Sequence, residues 1–305
     1  MNDPVPRQDD CRCLSEFRGT CNVLESFAFV AQVLGEYPAM TGTVANTSAS
    51  GFHFGARTHG QFTRRRFLAA ASAAAVSLPT SVRAAASYTG MRRAMLADIA
   101  GLTARTAAST GVTEIDPKVM DAIGRVLRHE FVPPELAGSA YENRPLRIGY
   151  GQTISQPYIV ALMTHLIAPE THHRVLEVGT GSGYQAAILA ELVDRVHTIE
   201  IVPGLALEAT ERLSRLGYEN VEVRLGDGYF GWPAAEPFNA IVVTAAASHI
   251  PPPLVTQLAP EGALVIPVGQ PFSVQMLVLV RKHADGQVSV HQILPVRFVP
   301  LTGGH

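Results

Sequence analysis

The chain is nearly without cysteine. Its three, Cys11, Cys13 and Cys21, all fall in the first 21 residues, so nothing downstream can form a disulfide or offer a thiolate to a metal. It has no surplus of charge either. A net charge of -2 argues against a nucleic-acid-binding protein, whose footprint is a strongly basic domain. No apolar run reaches the roughly 18 residues that signal a membrane span. No Gly-Lys-Ser/Thr follows its glycine-rich turn, which excludes a Walker phosphate loop. What remains is a chain of 305 residues, 47% hydrophobic and 16% charged, long enough for one or two domains with a proper core.

Residues 1–62 show no sustained periodicity and are rich in Gly, Ser, Thr and Asn around 40–60, the pattern of a disordered prefix. The three cysteines belong to that prefix. Residues 63–86 follow a different layout: Arg64, Arg65 and Arg66, then a mildly apolar stretch from Phe67 to Leu78, then the small residues Ala84, Ala85 and Ala86. This is the order of a secretory signal, and Thr63-Arg64-Arg65 with Phe67-Leu68 resembles the twin-arginine export motif. The expectation is export to the periplasm, with a mature start near Ser87 and with Met40 as the true initiator. An Ala-rich helix in a cytoplasmic protein is the alternative.

The body, 91–305, opens with two helical patterns. Met91, Met95, Leu96, Ile99 and Leu102 form one stripe, with Gly111 as a stop. Asp116 and Pro117 start the second, whose face is Val119, Met120, Ile123, Val126 and Leu127, with Pro133-Pro134 beyond it. From Arg174 strands and helices alternate. Strands are expected at 174–178, 195–200, 221–225, 239–244, 263–268, 275–281 and near 288–298, and helices at 183–193, 203–216 and 251–258. Such alternation predicts an α/β fold, a parallel sheet covered on both faces, with "NAIVVTAAA" as a central strand. Asp285-Gly286 would join the last two strands as an antiparallel edge hairpin. The region thus divides into helices and a loop over 91–170 and a sheet core over 174–305.

The turn in "RVLEVGTGSGYQAAILAEL" follows the first of these strands, where ligands of wound sheets bind. Gly179, Gly181 and Gly183 give G-x-G-x-G, one residue short of the dinucleotide spacing G-x-G-x-x-G. Acids mark three successive strand ends: Glu177, Glu200 and Asp227. Glu200 lies 21 residues beyond Gly179, suited to the hydroxyls of a ribose, and Asp227 in "GDG" could accept from an adenine amino group. No Lys or Arg lies between Gly179 and Glu191 to meet a phosphate. An acid-rich, phosphate-free adenosine site favours S-adenosylmethionine, whose sulfonium is positive, over a dinucleotide. A nicotinamide oxidoreductase and a non-catalytic adenosyl-binding module remain open at this point.

A second constellation, "RIGYGQTISQPYIVALM", precedes the first strand of the sheet. Ser155 there, two residues ahead of Pro157, could be no more than a helix cap. Yet "GQTISQP", "VLEVGTGSGYQAAILAEL", "GDGYFGWP", "FNAIVVTAAA", "LVIPVGQ" and "VRFVPLTGG", in that order, resemble the protein-L-isoaspartate O-methyltransferase family over roughly residues 91–303. The resemblance implies a seven-stranded Rossmann-like methyltransferase fold with N-terminal helical additions, and S-adenosyl-L-methionine as donor. It implies that Ser155 is the active-site serine. The donor site would comprise Gly179, Thr180, Gly181, Glu200, Asp227, Gly228 and Thr302, with Thr153 and Ile154 in a loop covering it. Two features depart from the family: the export segment, and a tail that stops at His305, soon after Thr302.

The acceptor implied is the free α-carboxyl of isoaspartyl residues in damaged proteins and peptides. With a reference pKa of roughly 3.5 it is already an anion at neutral pH and needs no general base. This agrees with site loops that hold no Ser–His–Asp arrangement and no metal ligands; His165, His172, His173 and His249 are read as surface residues. Catalysis is then positioning at roughly 3–3.5 Å and exclusion of water, with Ser155 donating a hydrogen bond to the carboxylate. The methyl ester closes to a succinimide without the enzyme. The rival is a methyltransferase of another substrate on the same fold. The protein is expected to act as a monomer.

Overall fold

The computed structural model describes residues 80–304. The expected prefix over 1–62, the three cysteines and residues 63–79 of the export segment lie outside the described residues, as does His305.

Helix α1 (Thr80–Thr110) is longer than the stripe that announced it, yet Met95, Ile99 and Leu102 are buried as expected. Gly111, at φ +69, ends it. Thr106 Oγ1 shares a 2.5 Å hydrogen bond with the Tyr158 hydroxyl and ties α1 to a later helix. Helix α2 (Pro117–Arg125) has Asp116 as N-cap, its carboxylate accepting the Lys118 N–H at 2.9 Å. It stops two residues before the expected face does. Val126 turns extended, and the chain tightens into a 3-10 turn (Arg128–Phe131) that buries Arg128 and Phe131. Leu127 therefore leaves the apolar face and is 41% exposed, against expectation.

An antiparallel hairpin follows: β1 (Leu146–Gly149) and β2 (Gln152–Ile154), with Leu146 opposite Ile154 and Arg147 opposite Thr153. Helix α3 (Pro157–Leu166) is apolar on nearly every side and almost wholly buried. Then come β3 (Arg174–Val178), α4 (Tyr184–Ala190), β4 (Arg195–Glu200), α5 (Pro203–Arg215), β5 (Val221–Leu225), β6 (Phe238–Val243), α6 (Pro252–Thr256), β7 (Leu258–Val268), β8 (Gln275–Lys282) and β9 (Val288–Val296).

The last seven strands form one sheet in the order β5-β4-β3-β6-β7-β8-β9, parallel except for β8, which pairs antiparallel with both neighbours. The order reverses at β3, between β4 and β6, which opens the crevice where such sheets bind ligands. Side chains alternate across it. Val175, Ala240, Val242 and Val265 face the layer of α1 to α4. Leu176, Val178, Ile241, Val243 and Leu264 face Trp232, Phe238 and Leu254 on the other side.

Three elements beyond Arg174 differ in extent by three residues or more, among them α6, expected over 251–258 and observed over Pro252–Thr256. Helix α4 is shorter than 183–193 because Gly183, at φ +86, is its cap and Asn220 donates to the carbonyls of Ala190 and Val193 at the other end. Strand β7 begins at Leu258, five residues early, since Leu258 already pairs with Phe238. His172 and His249 are exposed, but His165 and His173 are half-buried. His165 Nδ1 accepts the Asp116 N–H at 3.1 Å, so it locks α3 to the start of α2 rather than facing solvent.

Candidate active site

Each glycine of the turn after β3 has a separate task. Gly179 sits at φ +97, where a Cβ would run into Thr244 Oγ1. Its N–H and that of Thr180 both reach the Ile199 carbonyl, at 2.8 and 3.2 Å. Gly181 donates its N–H to Glu200 Oε2 at 2.7 Å, and Val202 donates to Oε1 at 2.9 Å. Both oxygens of this buried carboxylate are thus oriented by backbone, and each keeps lone-pair capacity for a further donor.

Around that carboxylate lies an open cleft of about 530 Å³. Gln152, Thr153, Gly179, Glu200, Gly228, Thr244 and Thr302 are among its lining, and no Lys or Arg is. Five expected donor residues, Thr153, Gly179, Glu200, Gly228 and Thr302, therefore meet in one place. The residues present fit an adenosyl sulfonium: a fixed carboxylate, backbone close approach at Gly179 and Gly228, and nothing cationic to oppose a positive ligand or to bind a phosphate. A Cβ at Gly228 would strike Val178, so the wall is flush there.

The hairpin joins this cleft to α5: Gln152 and Thr153 line the cleft, and the tip reaches the helix. Tyr150, at φ +51, packs on Gly204 at the start of α5, where a Cβ would meet its hydroxyl, and donates to Glu208 Oε1 at 3.1 Å.

Four expected residues lie elsewhere. Ile154 and Thr180 line an adjoining recess with Ser155, Glu177, Tyr184 and Gln185. The Thr180 hydroxyl is bonded to Thr198 Oγ1 at 2.6 Å and does not reach the donor cleft. Gly181 lines neither space. Asp227 stands behind Gly228, its oxygens accepting the N–H groups of Tyr229 and Gly304, each at 3.0 Å, so it ties the tail to this wall.

The expectation of three acids around the ligand is corrected accordingly: only Glu200 lines the donor cleft. Glu177 faces the helical layer, wholly buried, with Oε2 accepting from Thr198 at 2.6 Å and Oε1 without a partner. Burial, and then the Glu200 charge, push its carboxyl up to about 8, so it is neutral at pH 7.

A second cleft, about 600 Å³, adjoins the first. Pro145, Ile159, Val296 and Phe298 give it apolar walls, and Ser155, Gln156 and Arg297 supply polar groups. Ser155 is not a helix cap. Gln156 holds the N-cap position of α3, and the Tyr158 N–H is met from a distance by Asn143 Oδ1 at 3.0 Å. Among the described residues the Ser155 hydroxyl makes no hydrogen bond, while its carbonyl accepts from Arg128.

Thr153 and Thr244 line both clefts. Thr244 was missed in the sequence. Its Oγ1 reaches the carbonyls of Val178 and Gly179, at 3.0 and 2.6 Å, and braces the glycine turn from the next strand. The signal was there: Thr244 is the one polar side chain in "AIVVTAAA". One group of possible metal ligands, Glu170, His172 and His173, lies at the amino end of β3, away from both clefts.

Comparison with known proteins accords with this geometry. Residues 105–305 match the family model described as protein-L-isoaspartate(D-aspartate) O-methyltransferase. The chain is 60% identical over 218 residues to protein-L-isoaspartate O-methyltransferase 2 of Syntrophobacter fumaroxidans, covering 72% of this chain and 88% of that one. It is 56% identical over 235 residues to protein-L-isoaspartate O-methyltransferase 1 of Cupriavidus necator, covering 77% and 91%. Among solved structures, a protein-L-isoaspartate O-methyltransferase aligns at TM-score 0.60 and 27% identity, covering 70% of this chain and 66% of that one. A putative one from Plasmodium falciparum, in complex with S-adenosyl-L-homocysteine, aligns at TM-score 0.54 and 27% identity, covering 61% and 91%. With its model matched from the end of α1 onward and these relatives covered over most of their length, the chain belongs to the protein-L-isoaspartate O-methyltransferase family.

Proposed function

We propose that the paired clefts transfer the methyl group of S-adenosyl-L-methionine to the free α-carboxyl of L-isoaspartyl residues in damaged proteins and peptides, which starts their repair through a succinimide. The observation that carries this reading is that a cation-free cleft with a fixed carboxylate shares Thr153 and Thr244 with a second cleft holding an unbonded serine hydroxyl. When bound, the donor supplies a methyl group on a positively charged sulfur.

The chain's own residues then divide the work. Glu200 accepts the ribose hydroxyls with the lone pairs that Gly181 and Val202 leave over. Gly179 and Gly228 let the ligand approach the backbone, and Gly181 and Thr180 shape the turn behind them. Asp227 holds the tail, and with it Thr302, against the donor. Thr153 and Ile154 cover the site from the hairpin.

Ser155 donates its O–H to the acceptor carboxylate, which orients that anion and offsets part of its desolvation. It abstracts no proton. The apolar walls of the second cleft exclude water, which matters because a carboxylate that keeps its hydration shell attacks slowly.

The reading extends to export by the segment 63–86, supported by its arginine cluster and its alanine triplet. A mature start near Ser87 would leave the buried stripe of α1 intact, since that stripe begins beyond it. N-terminal sequencing of the native protein tests this; an intact leader on a cytoplasmic protein refutes it. A monomer is expected in sedimentation.

The activity is tested by methylation of an isoaspartyl peptide against its aspartyl twin. Transfer to the first alone supports the reading. Equal transfer to both, transfer to neither, or binding of a nicotinamide dinucleotide in place of S-adenosylhomocysteine would sink it.

A further inference from the structure

Arg128 is a buried cation that no acid answers among the described residues. It is wholly inaccessible to solvent, in the 3-10 turn after α2. Its Nε donates to the Ala140 carbonyl at 2.8 Å and its Nη2 to the Ser155 carbonyl at 2.7 Å. The guanidinium lies over the Tyr184 ring, 4.7 Å from its centroid, which favours the charge. Nη1 and the Tyr184 hydroxyl are both buried and close enough to favour the charge, but neither makes a hydrogen bond of good geometry. Among the described residues no carboxylate pairs with it. Burial lowers its pKa to about 10, with the phenols of Tyr184 and Tyr141 opposing, so it stays protonated at neutral pH.

For stability alone this is a poor choice. An unpaired buried charge with an unused N–H is costly, and an apolar side chain would fill the space more cheaply. What a guanidinium does that a leucine cannot is hold two carbonyls at once, in segments 12 and 27 residues away in sequence. One of them belongs to Ser155. Residues 155 and 156 link β2 to α3 and belong to neither, and the cap residue Gln156 makes no capping bond. The guanidinium bond is the one side-chain hydrogen bond that reaches Ser155 among the described residues.

We infer that Arg128 is a positioning residue for methyl transfer: by gripping the Ser155 carbonyl it fixes the peptide plane from which the serine hydroxyl is aimed into the acceptor cleft. Charge shortens and strengthens that grip relative to a neutral donor. Small errors in aim matter because the reacting groups must be held to within a fraction of an ångström. The inference rests on the reading of Ser155 as the group that meets the acceptor.

The test is a double-mutant cycle of Arg128→Lys and Ser155→Ala in the full chain. Turnover and KM with an isoaspartyl peptide, calorimetric affinity for S-adenosylhomocysteine, and melting temperature are read for each protein. Lys keeps the charge but carries it on a single nitrogen without the planar fork, so it cannot reproduce the two bonds that Nε and Nη2 make in fixed directions. Arg128→Lys is expected to lower kcat about 10- to 100-fold while donor affinity stays within about twofold. In the Ser155→Ala background the same substitution should change kcat by less than about twofold, since the hydroxyl it aims is gone. A merely structural Arg128 would move melting temperature and donor affinity with turnover, and its loss would multiply with that of Ser155→Ala; that result overturns the inference. So does unchanged kcat in Arg128→Lys. If Ser155→Ala alone retains full turnover, the reading of Ser155 fails, and a loss in Arg128→Lys then refutes a route through the serine. Should Arg128→Lys not fold, Arg128→Met takes its place under the same criteria.

Discussion

The donor and acceptor halves of the cleft are ordered in opposite ways. On the donor side the carboxylates are already bonded to backbone N–H groups. Glu200 takes N–H groups from Gly181, 19 residues away, and from Val202, and Asp227 takes them from Tyr229 and Gly304. On the acceptor side the one hydroxyl is left unbonded and its backbone is held from afar by Arg128. A ligand of constant structure suits the first arrangement, because fixed acceptors need no reorganisation when it binds. A carboxylate presented on many different peptides suits the second, with apolar walls and a few polar groups, of which Ser155 is unbonded.

Ser155→Ala should break the acceptor side alone. Turnover is expected to fall about 100-fold with donor affinity intact, given the cost of misplacing or under-solvating the reacting anion. Calorimetry showing weaker donor binding with unchanged turnover at saturation would reverse the assignment. Glu200→Ala should do the opposite: S-adenosylhomocysteine binding weaker by about 10- to 100-fold, from lost charged hydrogen bonds. Unaltered affinity there would remove Glu200 from the donor site.

Glu177→Gln probes what lies between the halves. The folded state holds the Glu177 proton up to about pH 8, whereas the unfolded chain releases it near 4.5. The folded form therefore binds more protons across that window, and stability falls as pH rises through it, by up to about 1.4 kcal/mol per pH unit. Above the window both forms are ionised and the decline levels off. The amide has no proton to lose, so its melting temperature should be flatter between about pH 5 and 8 than that of the parent. Identical slopes would contradict a neutral buried Glu177.

Gly204→Ala is the mildest. Its methyl would displace the Tyr150 hydroxyl, the far end of a flexible side chain, so stability should hardly change. Unlatching the hairpin from α5 should speed release of S-adenosylhomocysteine by a few-fold, about 1 kcal/mol or less. Stopped-flow release rates equal to the parent's would show that the hairpin tip does not hold the donor.

Much of the donor side was legible because its signals are local. Gly179 and Gly183 need positive φ, the strand that ends at Glu200 shows its length in its apolar pattern, and "GDG" marks a turn. The same locality misled at two points. The period of α2 continues through Leu127, but the buried Arg128–Phe131 turn takes the chain away before that residue can pack. Glu177 looked like one more ligand-facing acid, but the alternation of β3 turns it toward the helices.

The amino-acid order by itself determined most strands of the large sheet and the glycine turn, because periodicity and backbone dihedral preference act over a few residues, and its motifs carried the resemblance to the family. The three-dimensional packing decided that Thr244, 65 residues from Gly179, braces the turn, and that Arg128, 27 residues from Ser155, holds the acceptor segment. Neither pairing has a local signature. Each exists because burial leaves a carbonyl and a donor facing one another where water cannot serve either, and which two meet is settled by how helices and sheet stack.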